Sequence, residues 1–82
     1  MQIPHELPEE FPDETALMAR LAKTNYLFRR LVNRYDGINV RIYRIESEEE
    51  PTTDEVLERL KKQRLRLKDE IARMLRRTER RM

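Results

Sequence analysis

The sequence has no cysteine, no tryptophan and a single glycine among its 82 residues. Because there is no cysteine, a thiol nucleophile is excluded, and the absence agrees with a reducing cytosolic compartment. There is one histidine and one serine, and no glycine-rich loop that could hold a phosphate. These are too few reactive groups for a preorganised active site. We therefore expect a protein that is not an enzyme and that uses no cofactor.

Long hydrophobic runs are also absent. Only 38% of the residues are hydrophobic, and no apolar stretch approaches the roughly 20 residues that cross a bilayer. Residues 1–14 are acidic, and they lack the basic and apolar regions of a secretory signal. The sequence therefore predicts one small domain, without a membrane span, located in the cytoplasm.

Charged residues, by contrast, make up 41% of the chain, and the two signs are separated along it. Residues 6–14 carry five acids and residues 46–58 carry seven, with no base in either stretch. All 18 lysines and arginines fall within 15–45 and 59–82, against four acids. The net charge of +2 therefore hides two basic and two acidic segments. High charge with almost no glycine is typical of long helices.

A first helix is indicated by seam positions that recur in steps of four and three from Leu17 to Ile45 and are all apolar except Thr24. This spacing is typical of a helix that packs along one stripe. Asp36-Gly37 would also suit the turn of a β-hairpin. The spacing continues through these two residues, however, so we interpret the stretch as helix with Gly37 inside it. Pro51 then excludes the helical conformation for the residue before it.

A second stripe with the same spacing follows, and Thr52 with Glu55 forms the predicted capping box at its start. Two amphipathic helices joined by a short loop must fold back on each other. We predict an all-α fold, an antiparallel two-helix hairpin of the coiled-coil type that dimerises into a four-helix assembly. The predicted segments are a proline-rich acidic arm at 1–12, disordered or loosely attached with Leu7 and Phe11 as its candidate anchors, and a hairpin at 13–82. Within the hairpin we predict helix one at about 13–48, a loop at about 49–52 and helix two at about 53–80. The predicted seam consists of Leu17, Leu21, Phe28, Leu31, Tyr35, Ile38, Ile42, Ile45, Leu57, Leu60, Leu67, Ile71 and Met74.

The two flanks of this seam differ in chemistry. One flank is half apolar, and because a bare two-helix seam buries little surface, we expect this flank to pair with a second copy. Scattered apolar residues on the surface of a monomer are the alternative. The predicted self-association flank consists of Met18, Val32, Leu65, Ala72 and Leu75. The other flank is basic, and its candidate polyanion-binding residues are Arg20, Lys23, Arg30, Arg34, Arg41, Arg66, Arg73 and Arg77.

The basic flank has three interpretations. It could bind an acidic protein partner, or it could bind the phosphates of a nucleic acid in a salt-dependent, sequence-independent way. It could also be a solvated face, or one covered by the chain's own acidic segments. No aromatic platform for base stacking accompanies it, so a protein partner is favoured over a nucleic acid. We expect a small non-catalytic interaction or adaptor protein, with a nucleic-acid-associated protein as the alternative.

Three further features could suggest sites. His5 lies in the proline-rich arm, where we expect it to be exposed rather than to act as a ligand or base. The run Glu48–Glu50 lacks the alternating ligands and central glycine of a calcium loop, so we expect a solvated loop and no metal. Arg64 is a basic residue within the seam. It could fix the register of the two helices, but we favour the interpretation that its stem packs while its guanidinium reaches water.

The stretches "HELPEEFPD", "YRIE" and "EPTTDEVLERLKKQRLRLKDEI" resemble the YdcH-like family of small bacterial proteins. The likeness runs from His5 to about Leu75. The family is of unknown function and is regarded as coiled-coil forming. The resemblance therefore implies a helical hairpin in the bacterial cytosol, and it supplies no activity, cofactor or catalytic residue. Between Asn33 and Tyr43 this sequence has fewer acids and histidines than the family usually has, so a partner that recognises this segment in relatives need not be shared.

Overall fold

The computed structural model describes residues 3–81, and every regular element within that range is a helix. The predicted all-α class is therefore confirmed. Met1 and Gln2 of the predicted arm, and Met82 of the predicted hairpin, lie outside the described residues. The helices are α1 (Leu7–Glu10), a 3₁₀ turn (Pro12–Glu14), α2 (Thr15–Thr24), α3 (Tyr26–Glu46) and α4 (Asp54–Arg81).

Helices α3 and α4 form a hairpin and make the most extensive helix–helix contact of the described chain. Its loop begins at a C-terminal turn in which Glu48 has a φ of 63°. Within this turn the Glu49 amide donates to the Arg44 carbonyl at 2.9 Å, as in a Schellman motif. Helix α4 starts at a different cap from the predicted one. The Thr53 hydroxyl, not that of Thr52, accepts the Val56 amide at 3.2 Å.

The core consists of two clusters of buried side chains. Eight of the thirteen predicted seam residues are buried, and Leu17, Leu31, Ile38, Leu57 and Met74 are half-buried. The larger cluster consists of Leu7, Met18, Leu21, Phe28, Tyr35, Leu67, Ile71 and Leu75. The smaller cluster, near the loop, consists of Ile42, Ile45 and Leu60. The larger cluster includes residues from α1 and α2, so the hairpin is not the whole of the packed structure.

The structure differs from the predicted single helix over 13–48, because the chain bends at Asn25. This residue has an extended backbone (φ −127°, ψ 110°), and its Oδ1 accepts the Phe28 amide at 3.0 Å. Asparagine is among the best N-cap residues, since its side chain satisfies an amide that has no partner within the helix. Helix α2 then lies alongside α3, with Met18 and Val32 lining the same groove.

The N-terminal segment also differs from the loosely attached arm that the sequence predicts. Leu7 is only 4% exposed and belongs to the larger core cluster, against which Phe11 packs. The segment thus continues the layer formed by α2 on one side of the α3–α4 hairpin. This layer covers apolar surface that a bare two-helix hairpin would leave in water, so the chain buries it without a second copy.

The cap at Asn25 gives a first testable expectation. Asn25→Ala should lower the free energy of unfolding by roughly 0.5–2 kcal/mol, because the Phe28 amide loses its acceptor. Asn25→Asp keeps a side-chain acceptor and serves as the matched control. Urea denaturation of the two variants measures the difference. If α2 and α3 were one continuous helix, Asn25→Ala would instead stabilise the protein, because alanine is the better helix former.

Gly37 lies within α3, as the sequence predicts, and its φ is not positive. A Cβ added at this position would have no atom within 4 Å. Gly37→Ala should therefore stabilise the protein by roughly 0.5–1 kcal/mol, because alanine restricts the unfolded chain and fits the helix. Thermal unfolding followed by circular dichroism tests the sign. A lower midpoint would indicate a turn at Asp36-Gly37, where an alanine with positive φ is strained.

Candidate interaction groove

An open groove with a volume of about 390 Å³ lies between α3 and α4, and four arginines line it. Arg30 and Arg34 stand one turn apart on α3, and Arg73 and Arg77 stand one turn apart on α4. The antiparallel course of the hairpin brings the start of α3 beside the end of α4. We call this feature the arginine groove. It is lined by Leu27, Arg30, Leu31, Arg34, Glu70, Arg73, Met74 and Arg77.

Helical periodicity explains why these arginines meet. On α3 the buried stripe includes Phe28 and Tyr35, and residues three and four apart share one face of a helix. Arg30 and Arg34 are therefore neighbours on one flank of that stripe. Arg73 and Arg77 hold the matching positions beside Ile71 on α4. Four of the eight basic residues predicted from sequence are gathered in this way.

The arginine groove is electropositive because its lining carries four arginines against one carboxylate, that of Glu70. Among residues 3–81, no carboxylate oxygen lies within 4.0 Å of the guanidinium nitrogens of Arg34, Arg73 or Arg77. The guanidinium of Arg30 lies 5.9 Å from the centre of the Tyr26 ring. Like charges one helical turn apart cost a few tenths of a kcal/mol. An anionic partner would relieve this repulsion.

The floor of the arginine groove is apolar. Leu31 and Met74 are half-buried and pack against the larger core cluster. Leu27 is 64% exposed, although it lies directly before the fully buried Phe28. A groove that combines an apolar floor with a cationic rim can bind a partner through both burial and charge.

The remaining residues of the predicted basic flank lie elsewhere. Arg41 donates from Nε to Glu50 at 3.1 Å, so it is paired with the acidic loop, although its side chain remains 53% exposed. Arg20 and Lys23 on α2 are exposed, as is Arg66 on α4, and none of the three lines the arginine groove. The structure thus divides the predicted flank into a groove, an internally paired arginine and separate surface charges.

The predicted self-association flank is largely covered by the chain itself. Met18 is 8% exposed and Leu75 is 2% exposed, and both belong to the larger core cluster. Val32 and Ala72 are half-buried. Only Leu65, at 58% exposure, is open to solvent. The physical reason is that α2 and the N-terminal segment lie on this flank, where the sequence predicts a second copy.

A polar anchor, which the sequence analysis missed, fixes the N-terminal segment. The Tyr35 hydroxyl donates to the His5 carbonyl at 2.5 Å. Asn39, only 3% exposed, donates from Nδ2 to the Pro4 carbonyl at 3.0 Å, and its Oδ1 accepts from Arg64 Nη1 at 3.0 Å. Because the guanidinium of Arg64 is hydrogen-bonded to Asn39 on the facing helix, it does not simply reach water as the sequence predicts, and this contact supports the register-fixing interpretation instead. In the sequence, the joint role of Tyr35 and Asn39 in this anchor is indicated only by their spacing of one helical turn.

Charged contacts complete the attachment of the segment. His5 Nδ1 lies 3.1 Å from Glu10 Oε1, and Lys68 Nζ lies 3.4 Å from the same oxygen. Burial alone would raise the pKa of Glu10, but the hydrogen bond with His5 and the charge of Lys68 outweigh it, so the pKa is lowered. The side chain of His5 is about half exposed. These contacts give His5 a structural role in attaching the N-terminal segment. Its positive φ of 62° lies in the turn that precedes α1.

Residues 3–81 contain neither a cluster of metal ligands nor a helix that could span a membrane. Within residues 3–81, no group of three or more histidine, aspartate or glutamate side chains is arranged to hold a metal ion. The run Glu48–Glu50 lies in the loop between α3 and α4, where Glu48 and Glu49 are exposed and Glu50 is paired with Arg41. None of the helices in this range has a stretch both long and apolar enough to cross a membrane.

Comparison with known proteins identifies the family. Residues 28–75, more than half of the chain, match the family described as "Protein of unknown function (DUF465)". The chain therefore belongs to this family, which is the YdcH-like family of small proteins. No curated protein and no solved structure matches the chain. The matched range covers most of the α3–α4 hairpin and contains Arg30, Arg34 and Arg73, whereas Arg77 lies just beyond it.

Proposed function

We propose that this protein is a small non-catalytic interaction or adaptor protein, and that the arginine groove is its binding surface for an acidic partner protein. One observation carries the proposal. Three arginines around an open groove have no carboxylate within 4.0 Å in the described chain. Such a positive surface attracts an acidic partner over a distance of about a Debye length, roughly 10 Å at 0.1 M salt.

The proposal places the protein in the cytoplasm, in line with its similarity to small bacterial proteins. It also keeps self-association as a prediction, with a changed location. A coiled-coil dimer of four helices would have to use surface other than Met18 and Leu75, because both are buried within one chain. Light scattering at high protein concentration measures the mass, and a monomer there would exclude the dimer.

The alternative function is association with nucleic acid. It is favoured by the exposed Arg20, Lys23 and Arg66, which extend the basic surface beyond the arginine groove and could contact further phosphates. Two features argue for the protein partner instead. The groove lining contains no aromatic side chain for base stacking. The exposed Tyr26 ring lies under the guanidinium groups of Arg29 and Arg30.

Charge reversal in the arginine groove tests the proposal. Wild-type protein should bind fluorescent polyglutamate at low salt, and a triple variant (Arg30→Glu, Arg34→Glu, Arg73→Glu) should lose this binding, as measured by fluorescence anisotropy. The matched control reverses three exposed charges outside the groove (Arg20→Glu, Arg59→Glu, Lys62→Glu) and so has the same net charge.

The control variant should retain most of the binding, and circular dichroism should show that both variants remain helical. Equal loss in the two variants would contradict the proposal, because net charge rather than the groove would then explain binding. Tighter binding of duplex DNA than of any acidic peptide, with a steep dependence on salt, would favour the alternative function.

A further inference from the structure

The side of the hairpin that carries the arginine groove is the uncovered one. On α3, the residues that face α2 and the N-terminal segment include Val32 and Asp36, whereas Leu27, Leu31 and Arg34 line the arginine groove. At 100° per residue these two sets lie on opposite sides of the helix. The hairpin therefore has one side packed under its own chain and one side that is open.

The packed side shows what kind of segment the hairpin binds. The N-terminal segment is acidic, with Glu6, Glu9 and Glu10, and it inserts Leu7 into the core. Glu10 meets Lys68 of α4 at 3.4 Å. An acidic segment with apolar side chains is thus held on one side of this basic hairpin by burial together with charge pairing.

We infer that the arginine groove binds an acidic amphipathic helix from another protein, with apolar side chains on Leu27, Leu31 and Met74 and carboxylates at the four arginines. This inference rests on the proposed function and specifies the partner. A helix that lies in a groove between two helices presents apolar residues at positions i, i+3, i+4 and i+7. The arginines on both edges can each form charge-assisted, bidentate hydrogen bonds with a carboxylate.

The apolar floor is what distinguishes this partner from other polyanions. A phosphate backbone or polyglutamate pairs with the arginines but leaves Leu27 in water. An amphipathic helix covers Leu27 as well, and burial of apolar surface adds affinity that salt does not screen. Binding of the correct partner should therefore depend on both a leucine and the arginines, whereas binding of a simple polyanion should depend on the arginines alone.

Two synthetic peptides of about 16 residues, roughly four helical turns, provide the test. Both contain only glutamate, leucine and alanine in the same numbers. In the first, the leucines follow the i, i+3, i+4, i+7 pattern, and in the second they are distributed around the helix. Fluorescence anisotropy gives the affinity of each peptide for the full chain, with polyglutamate and duplex DNA as further probes.

The patterned peptide should bind about tenfold or more tightly than the scrambled one, a difference of about 1.4 kcal/mol. Leu27→Ser should remove most of this advantage and leave polyglutamate binding unchanged. The matched control is Leu65→Ser, since Leu65 is 58% exposed and does not line the groove. Arg73→Glu should weaken the binding of both peptides.

The possible failures are distinct. If both peptides bind equally and both depend on Arg73, the inference is wrong while the proposed function stands. If neither peptide nor polyglutamate binds at low salt, both are wrong. If duplex DNA binds more tightly than the patterned peptide and this binding is lost with Arg73→Glu, the inference is overturned in favour of a nucleic-acid partner. An unchanged peptide affinity in Leu27→Ser would also overturn it.

Discussion

Phe28→Ala should lower the free energy of unfolding by roughly 3–5 kcal/mol, the usual cost of removing a buried phenylalanine. Phe28 is 0% exposed and belongs to the larger core cluster. It stands just after the bend at Asn25, where side chains from α1, α2 and α4 come together. A small domain has about 5–15 kcal/mol of stability in total, so this one substitution should remove a large part of it.

Leu27→Ala is the matched control, because Leu27 is adjacent in sequence but 64% exposed. Its effect should stay within about 0.5 kcal/mol. Urea denaturation followed by circular dichroism measures both variants. Similar effects of the two substitutions would contradict the orientation of the first turn of α3. That orientation also determines which leucine is available in the arginine groove, so this control bears on the site as well as on the fold.

The α3–α4 hairpin could be predicted from sequence, because the apolar spacing that specifies it is local and is repeated along both helices. The seam spacing extends over several turns on each side of the loop, and Gly37 costs a helix only about 1 kcal/mol, too little to break one that buries Tyr35 and Ile42. The bend at Asn25 could not be predicted from that spacing. Thr24 lies at a position that the four-three spacing assigns to the seam, yet it is exposed. The spacing therefore continues across the bend at Asn25 by coincidence. The better signal was the capping preference of Asn25 itself.

The docking of the N-terminal segment could not be predicted for a different reason. Its attachment depends on the backbone carbonyls of Pro4 and His5, which accept hydrogen bonds from side chains more than 25 residues away. Every residue has such a carbonyl, so the sequence does not mark the ones that are used. The three prolines in twelve residues predict an extended or loosely turned arm, whereas Leu7–Glu10 form a short α-helix with Pro8 in its first turn. The prolines give no information about what the segment contacts.

The candidate site was predicted in part. The hairpin register places Arg30 and Arg34 on the same flank as Arg73 and Arg77, and this followed from helical periodicity. The sequence could not show that Arg41 is neutralised by Glu50, because that pairing depends on how the acidic loop turns back. The sequence also predicts that the apolar flank is covered by a second copy of the chain. The covering elements are α2 and the N-terminal segment, for which the sequence predicts a straight helix and a loosely attached arm.

The attachment of the N-terminal segment should be visible in the pH dependence of stability. Burial raises the pKa of Tyr35 from 10.0 to about 12, with the Glu10 carboxylate adding to the shift and Arg64 opposing it. In the unfolded chain the phenol titrates near its ordinary value of 10.0. Between pH 10 and 12 the unfolded state therefore loses this proton while the folded state keeps it. The contribution of Tyr35 to stability is complete below pH 10 and is lost as the pH rises towards 12.

Tyr35→Phe isolates this effect, because every other titrating group is common to the two proteins. At neutral pH the variant should be less stable than wild type by roughly 1 kcal/mol, since it lacks the hydrogen bond to the His5 carbonyl. As the pH rises, wild type should lose about 1.4 kcal/mol per pH unit relative to the variant, or roughly 2–3 kcal/mol in all. The order of stability should therefore be reversed near pH 12.

Urea denaturation at intervals from neutral pH to pH 12 gives the free energy of unfolding of each protein as a function of pH. The prediction concerns the difference between the wild-type and Tyr35→Phe values at each pH. Tyr26→Phe, which makes the same substitution at a site that is 63% exposed, is the control for the loss of a phenol hydroxyl. A constant difference between wild type and Tyr35→Phe would mean that the phenol is solvated in the folded protein. The N-terminal segment would then not lie over Tyr35, and the side of the hairpin opposite the arginine groove would be open as well.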